Sequence, residues 1–140
     1  MTKKLFFILL LMAVISISAM AKIVVQPNDL PQEALDFISK TFINDAIVYV
    51  ERNRTDFEVT LQSGIELEFF INGEWKEIKS FTPITIDVLP KNVVNTLKQK
   101  YANASILEIS KQYNSYEISL DNRREIYISN TGEFLGEKLD

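Results

Sequence analysis

The sequence predicts an α+β fold: a tandem duplication of an α-β4 unit, with the helices packed on one face of an antiparallel sheet. Three observations predict it. The chain matches itself without a gap when residues 30–78 are laid on residues 89–137, an offset of 59 positions. Each copy opens with apolar residues at helical spacing and continues with alternating, β-branched runs. Asn72-Gly73 and Thr131-Gly132 place a tight turn before the last strand of each copy.

Along the chain, the first element is a leader. Lys3 and Lys4 precede an apolar run over residues 5–17, and Ala19-Met20-Ala21 has the small-residue form that signal peptidase accepts. Residues 1–21 are therefore expected to be a signal peptide, and residues 22–140 a single domain. The run is shorter than the roughly 20 residues a membrane span needs. No stable anchor is expected after cleavage, which places the mature protein in the bacterial periplasm or outside the cell.

The first helix is expected over residues 30–42, with Leu30, Ala34, Phe37, Ile38 and Phe42 on one side. Asp29 is its expected cap, with Pro31 in the first turn. Strands follow at residues 47–52, 57–61, 65–71 and 74–78. Residues 79–88 link the copies. The second helix is expected over residues 89–101, with Val93, Val94, Leu97 and Tyr101 on one face. Its strands are expected at 106–110, 116–120, 124–129 and from 133 onward.

The self-match keeps like with like. Leu30-Pro31 falls on Leu89-Pro90, Phe57 on Tyr116, Val59 on Ile118, Glu66 on Glu125, and Trp75 on Phe134. Trp75 and Phe134 are accordingly expected to seal the core of each copy.

Parity assigns the faces. Phe57, Val59 and Leu61 must point the same way as Ile65, Leu67, Phe69 and Ile71. A three-residue loop over 62–64 achieves this, pairing Val59 with Leu67 and placing Gly64 in a left-handed bulge turn. Arg123 replaces that glycine in the second copy. The opposite face then collects Tyr49, Glu51, Glu58, Thr60, Glu66, Glu68 and Phe70, and from the second copy Glu108, Glu117, Ser119, Glu125 and Tyr127. Glu58 stands opposite Glu68, a like-charge pairing that costs a few tenths of a kcal/mol, roughly. This face is either solvated sheet or a surface that receives a basic partner. The candidate partner-binding residues are Tyr49, Glu58, Glu66, Glu68, Phe70, Glu117, Glu125 and Tyr127.

Composition removes several chemistries. There is no cysteine and no histidine, so disulfides, thiol chemistry, Ser-His triads and the usual zinc sites are excluded. The net charge of −4 becomes −6 once residues 1–21, which hold two lysines and no acid, are removed. Such a domain repels nucleic acid and anionic membranes. The glutamates alternate on an open face rather than facing across a pocket, so no catalytic residue is assigned. No Asp-x-Asp-x-Asp-Gly loop is present, and neither metal nor cofactor is expected. Glu51-Arg52-Asn53-Arg54-Thr55 has the acidic-x-Asn-x-Thr form that some bacterial glycosylation systems accept.

Leu-Pro before a helix, "FEVTLQSGIELEFFINGEWKEI" and its partner "YEISLDNRREIYISNTGEFL" together resemble the PepSY-like periplasmic proteins, related in fold to the β-lactamase inhibitor proteins. The resemblance runs from Leu30 to Leu135. It implies a helix on an antiparallel sheet in each repeat, a periplasmic location, and peptide binding or peptidase inhibition, with no catalytic residue to carry over. The expected function is non-catalytic binding of a protein or peptide, most naturally a basic one, through the acidic, aromatic-bearing face. The alternative is a structural or stress-related envelope protein without a single defined ligand.

Overall fold

The computed structural model describes residues 21–139. All but the last residue of the expected leader lies outside the described residues. Among those described, nine strands form one antiparallel sheet in strict sequence order, accompanied by two α-helices. The strands are β1 (Ile23–Val24), β2 (Ile47–Arg52), β3 (Asp56–Leu61), β4 (Glu66–Phe70), β5 (Trp75–Lys79), β6 (Ile106–Lys111), β7 (Ser115–Leu120), β8 (Arg124–Ser129) and β9 (Phe134–Leu139). Helix α1 (Gln32–Thr41) precedes β2 and helix α2 (Lys91–Lys100) precedes β6. The two-residue β1 was not anticipated, since two residues carry no period.

Both helices start two residues later than their apolar spacing predicts. Leu30 and Leu89 each precede a proline, which disfavours helical geometry in the residue before it, and both are extended. Asp29 does not cap α1. It accepts a hydrogen bond from the Gln26 amide at 2.8 Å and closes the short 3-10 turn Pro27–Asp29 instead. Pro31 takes the cap position of α1 without a side-chain bond.

The register follows the apolar pattern. Val50, Val59, Leu67, Ile78, Ile109, Ile118 and Ile126 stand side by side across seven strands. Each is at most 2% exposed. Ala34 and Ile38 of α1 and Val93 and Leu97 of α2 are buried in the same apolar cluster. Val59 pairs with Leu67 as expected, and Gly64 has φ +90°. Ile71 departs from the expected inner set. β4 ends at Phe70, Ile71 enters the turn, and it is 38% exposed.

Two glycines bind turn to helix. Gly73, at φ +94°, lies where a Cβ would meet the Pro31 Cβ at 2.9 Å and the Glu33 Cβ at 3.0 Å. Gly132, at φ +89°, would bring a Cβ within 2.8 Å of the Asn92 carbonyl oxygen. The β4–β5 turn thus lies against the start of α1, and the β8–β9 turn against α2, at distances only glycine permits.

Register shifts bend the sheet at Ile47/Tyr49 and Glu68/Phe69, and again at Ile106/Glu108 and Tyr127/Ile128. Each inserts one residue and re-aims side chains locally. At the β2–β3 turn, Asn53 Oδ1 accepts bonds from the Thr55 and Asp56 amides, both at 2.8 Å. The Asn-x-Thr stretch therefore serves as an Asx turn.

Candidate functional site

Because side chains alternate along a strand, the residues between the buried ones collect on the opposite face. The pairing arranges them in two transverse rows. One runs Glu51, Glu58, Glu68, Glu77, Ser110, Glu117, Tyr127. The next runs Tyr49, Thr60, Glu66, Lys79, Glu108, Ser119, Glu125, Lys138. Glutamates therefore stand directly opposite one another across four adjacent strands, β2 to β5. A groove of about 430 Å³ lies over this part of the face, lined among others by Tyr49, Glu51, Glu58, Glu66, Glu68, Glu77 and Lys79.

Lysines from neighbouring segments are interleaved with the acids. Lys22, beside β1, pairs with Glu58 at 2.7 Å and reaches Glu51 at 3.9 Å. Its hydrogen bond to Glu58 raises the ammonium pKa. Lys76 binds Glu68 at 2.6 Å, reaches Asp56 at 3.5 Å, and holds its ammonium 5.7 Å from the Phe70 ring centroid. Lys79 spans Glu77 at 3.1 Å and Glu108 at 3.4 Å. Burial pulls Lys79 down, but the two carboxylates outweigh it and leave its pKa raised.

Beyond the groove, Lys138 binds Glu125 at 2.7 Å, and the Tyr127 hydroxyl donates to the same carboxylate. Glu125 is 7% exposed. The Lys138 bond, then the Tyr127 bond, hold its pKa below the usual range. Glu117 is displaced the other way, first by burial and then by its hydrogen bond with Glu125. The two carboxyls thus divide their roles: Glu125 stays charged against Lys138, and Glu117 takes up a proton more readily.

Of the candidate residues, Tyr49, Glu58, Glu66 and Glu68 share the groove. The Tyr49 hydroxyl donates to Glu51 at 2.6 Å. Glu66 lies opposite Lys79 but has no ion pair among the described residues. Phe70 lies beside the groove, opposite Asp56. Glu117, Glu125 and Tyr127 continue the rows into the second half, outside the groove. Sequence reasoning missed Lys22, Lys76, Lys79, Lys138 and Glu77. Counting back from buried Ile78 would have found Glu77, and counting forward Lys79. Lys138 lies 59 positions after Lys79 and repeats its place. Lys76 reaches this face only through the β4–β5 shift, which alternation does not reveal.

The model of the beta-lactamase-inhibitor-like, PepSY-like family matches residues 18–70 and, overlapping them, residues 57–136. Solved structures share the fold. A candidate periplasmic protein of unknown function from Bacteroides vulgatus aligns with TM-score 0.79 and 28% identity, covering 84% of this chain and 99% of that one. A second candidate periplasmic protein from Bacteroides vulgatus aligns with TM-score 0.77 and 25% identity, covering 86% and 99%. A candidate calcium-regulated periplasmic protein from Bacteroides thetaiotaomicron gives 0.77 and 22%, covering 84% and 96%, a likeness of fold alone. A comparison with curated proteins found no match. Among the described residues no helix is long and apolar enough to cross a membrane. With nearly every residue beyond the leader region inside one of its two matched segments, the chain belongs to the beta-lactamase-inhibitor-like, PepSY-like family.

Proposed function

We propose that this chain is a non-catalytic periplasmic binding protein whose acidic sheet face receives a basic protein or peptide. The observation that carries the proposal is the row Glu51, Glu58, Glu68, Glu77. Like charges opposed across a ladder are unfavourable, and here three consecutive pairings have that character. Lys22, Lys76 and Lys79 offset the repulsion only in part: three lysines meet the four glutamates of the row, Lys76 and Lys79 are shared with Asp56 and Glu108, and Glu66 in the same groove has no ion pair among the described residues. Tyr49, Phe70 and Tyr127 supply aromatic area of the kind that anchors interfaces. The inhibitor-like description of the family favours an enzyme as the partner. The offset of 59, with the bends recurring at that spacing, supports a duplicated α-β4 unit carrying both helices on the inner face. The leader pattern supports export, and mass spectrometry of the host's mature protein is expected to show Lys22 at the N terminus.

A pull-down from periplasmic extract tests the binding role. One stoichiometric partner, released by salt and lost in the Glu58→Gln/Glu68→Gln variant, is the expected result, since exposed charge pairs are screened by salt. Full retention by that variant and by Phe70→Ala would leave the face as solvated sheet.

A further inference from the structure

At the end of the groove, a second concavity of about 420 Å³ opens between the two halves. That volume lies in the range of ligand pockets, roughly 300–1,000 Å³. Its two ends are equivalent turns: Gly64 after β3 and Arg123 after β7. Leu107, the inserted residue at the β6 bend, supplies apolar surface, and Leu120, a core residue 4% exposed, forms the floor. Phe81, from the segment after β5, stands at the rim and is 96% exposed.

Two unfavourable features meet here. A fully exposed phenylalanine forgoes its burial. Arg123 holds φ +63°, the left-handed region, where the matching turn uses Gly64. Phe81 lies outside the buried core cluster. Glu66 and Lys79 line both the groove and this cleft, so the two are continuous. At that border Lys79 is already shared between Glu77 and Glu108, and the Glu66 carboxylate has no ion pair among the described residues. The cleft is lined by three carboxylates, Glu66, Glu108 and Asp121, against two cations, Lys79 and Arg123, which leaves an acidic excess that disfavours an anionic ligand. A wholly apolar ligand would cover Glu66 without supplying the cation that it lacks.

We propose that the cleft is the subsite for one apolar side chain of an extended, basic peptide segment, packed between Phe81, Leu107 and Leu120 with a neighbouring cationic residue on Glu66. This assignment rests on the acidic-face function above and adds what sets its selectivity: charge attracts the segment, and the cleft chooses its apolar residue.

Fluorescence anisotropy on protein expressed from the full chain tests it with three labelled peptides at low salt. One carries lysine-leucine-lysine flanked by glycines, the second has serine in place of leucine, and the third has glutamates in place of the lysines. The leucine peptide is expected to bind at least about tenfold tighter than the serine peptide, a difference on the scale of one buried aliphatic side chain. Phe81→Ser is expected to abolish that preference, bringing the leucine peptide down to the affinity of the serine peptide. Glu66→Gln is expected to weaken both basic peptides alike. Equal binding of the leucine and serine peptides overturns the cleft and leaves the acidic face standing. Failure of both basic peptides to bind overturns both. Tight binding of the glutamate peptide overturns the basic class. Self-association in sedimentation that Phe81→Ser removes assigns the cleft to a second copy of the chain and overturns the peptide subsite.

Discussion

The stretch from α1 to β5 and the stretch from α2 to β9 place residues 59 positions apart in opposite circumstances. In the first, Trp75 begins β5 and has another strand beyond it. It is 8% exposed and stacks on Phe37 of α1 at 5.8 Å and on Tyr116 of β7 at 6.3 Å. Lys111 caps it at 4.1 Å. In the second, Phe134 begins β9, the sheet edge. It is half-buried against Tyr101, and Lys100 lies 4.2 Å from its ring centroid. The adjoining positions diverge in step. Ile78 is fully buried, whereas Glu137, 59 positions later, is exposed. Glu137 accepts bonds from Arg124 at 2.9 Å and from the Tyr101 hydroxyl. An apolar residue suits the interior strand. At the edge the same slot meets water, and a polar triad ties the strand down while discouraging edge-to-edge pairing.

The largest expected effect comes from the aromatic pair. Trp75→Ala is expected to cost about 3–5 kcal/mol, and Phe134→Ala about 1–2 kcal/mol, because the truncation penalty scales with burial. Urea melts decide it, and equal losses would remove the interior–edge distinction. Phe57→Ala and Tyr116→Ala test burial alone, since both lie on interior strands: Phe57 is 3% exposed and is expected to cost more than Tyr116, which is only partly buried.

Gly73→Ala and Gly132→Ala are each expected to cost about 1–3 kcal/mol, through the left-handed backbone and the contact with the helix start. Here the halves should agree. A cost at one turn alone would show that only one helix is clamped.

The long-turn pair comes next. Arg123→Gly is expected to raise stability by up to about 1 kcal/mol, and Gly64→Arg to lower it by about that amount. Thermal melts of both variants measure the difference between the turns directly.

The smallest effect is one of pH. The Tyr101 hydrogen bond, with Arg124, lowers the Glu137 pKa. A lowered folded pKa gives stability that is present above the unfolded value, about 4.3, and is lost as pH falls through the folded one. Burial first, then Glu137, pushes Tyr101 up to about 12. Its contribution is present below the unfolded value, about 10, and is lost as pH rises through about 12. Denaturant melts across pH are expected to show a flatter acid limb in Glu137→Gln and a flatter alkaline limb in Tyr101→Phe. Ile78, which holds the matching place in the first half, gives no such dependence.

Much of this was legible in the sequence, for reasons specific to each element. The bounds of β2 and β8 follow from runs bracketed by turn residues, and the Val59–Leu67 and Glu58–Glu68 pairings follow from parity and one glycine. The helix starts were not legible from spacing, because Leu30 and Leu89 continue the apolar stripe while proline holds them extended. On the acidic face, the glutamates were visible because they alternate with buried residues. Their lysines were not. Lys22 arrives on a strand too short to carry a pattern, and Lys76 through a bend that breaks parity. The unequal fates of Trp75 and Phe134 depend on what lies beyond each strand, which a local window does not contain.

The strict sequence order of the strands has a consequence for how the chain assembles. Every ladder joins neighbours in sequence, and the longest excursions between paired strands are those that hold α1 and α2. Closing short loops costs little chain entropy, so pairing can spread from hairpin to hairpin without awaiting a distant segment. A chain delivered N terminus first through a narrow channel would find each strand's partner already on the far side. No strand need stay unpaired until the last residue has crossed.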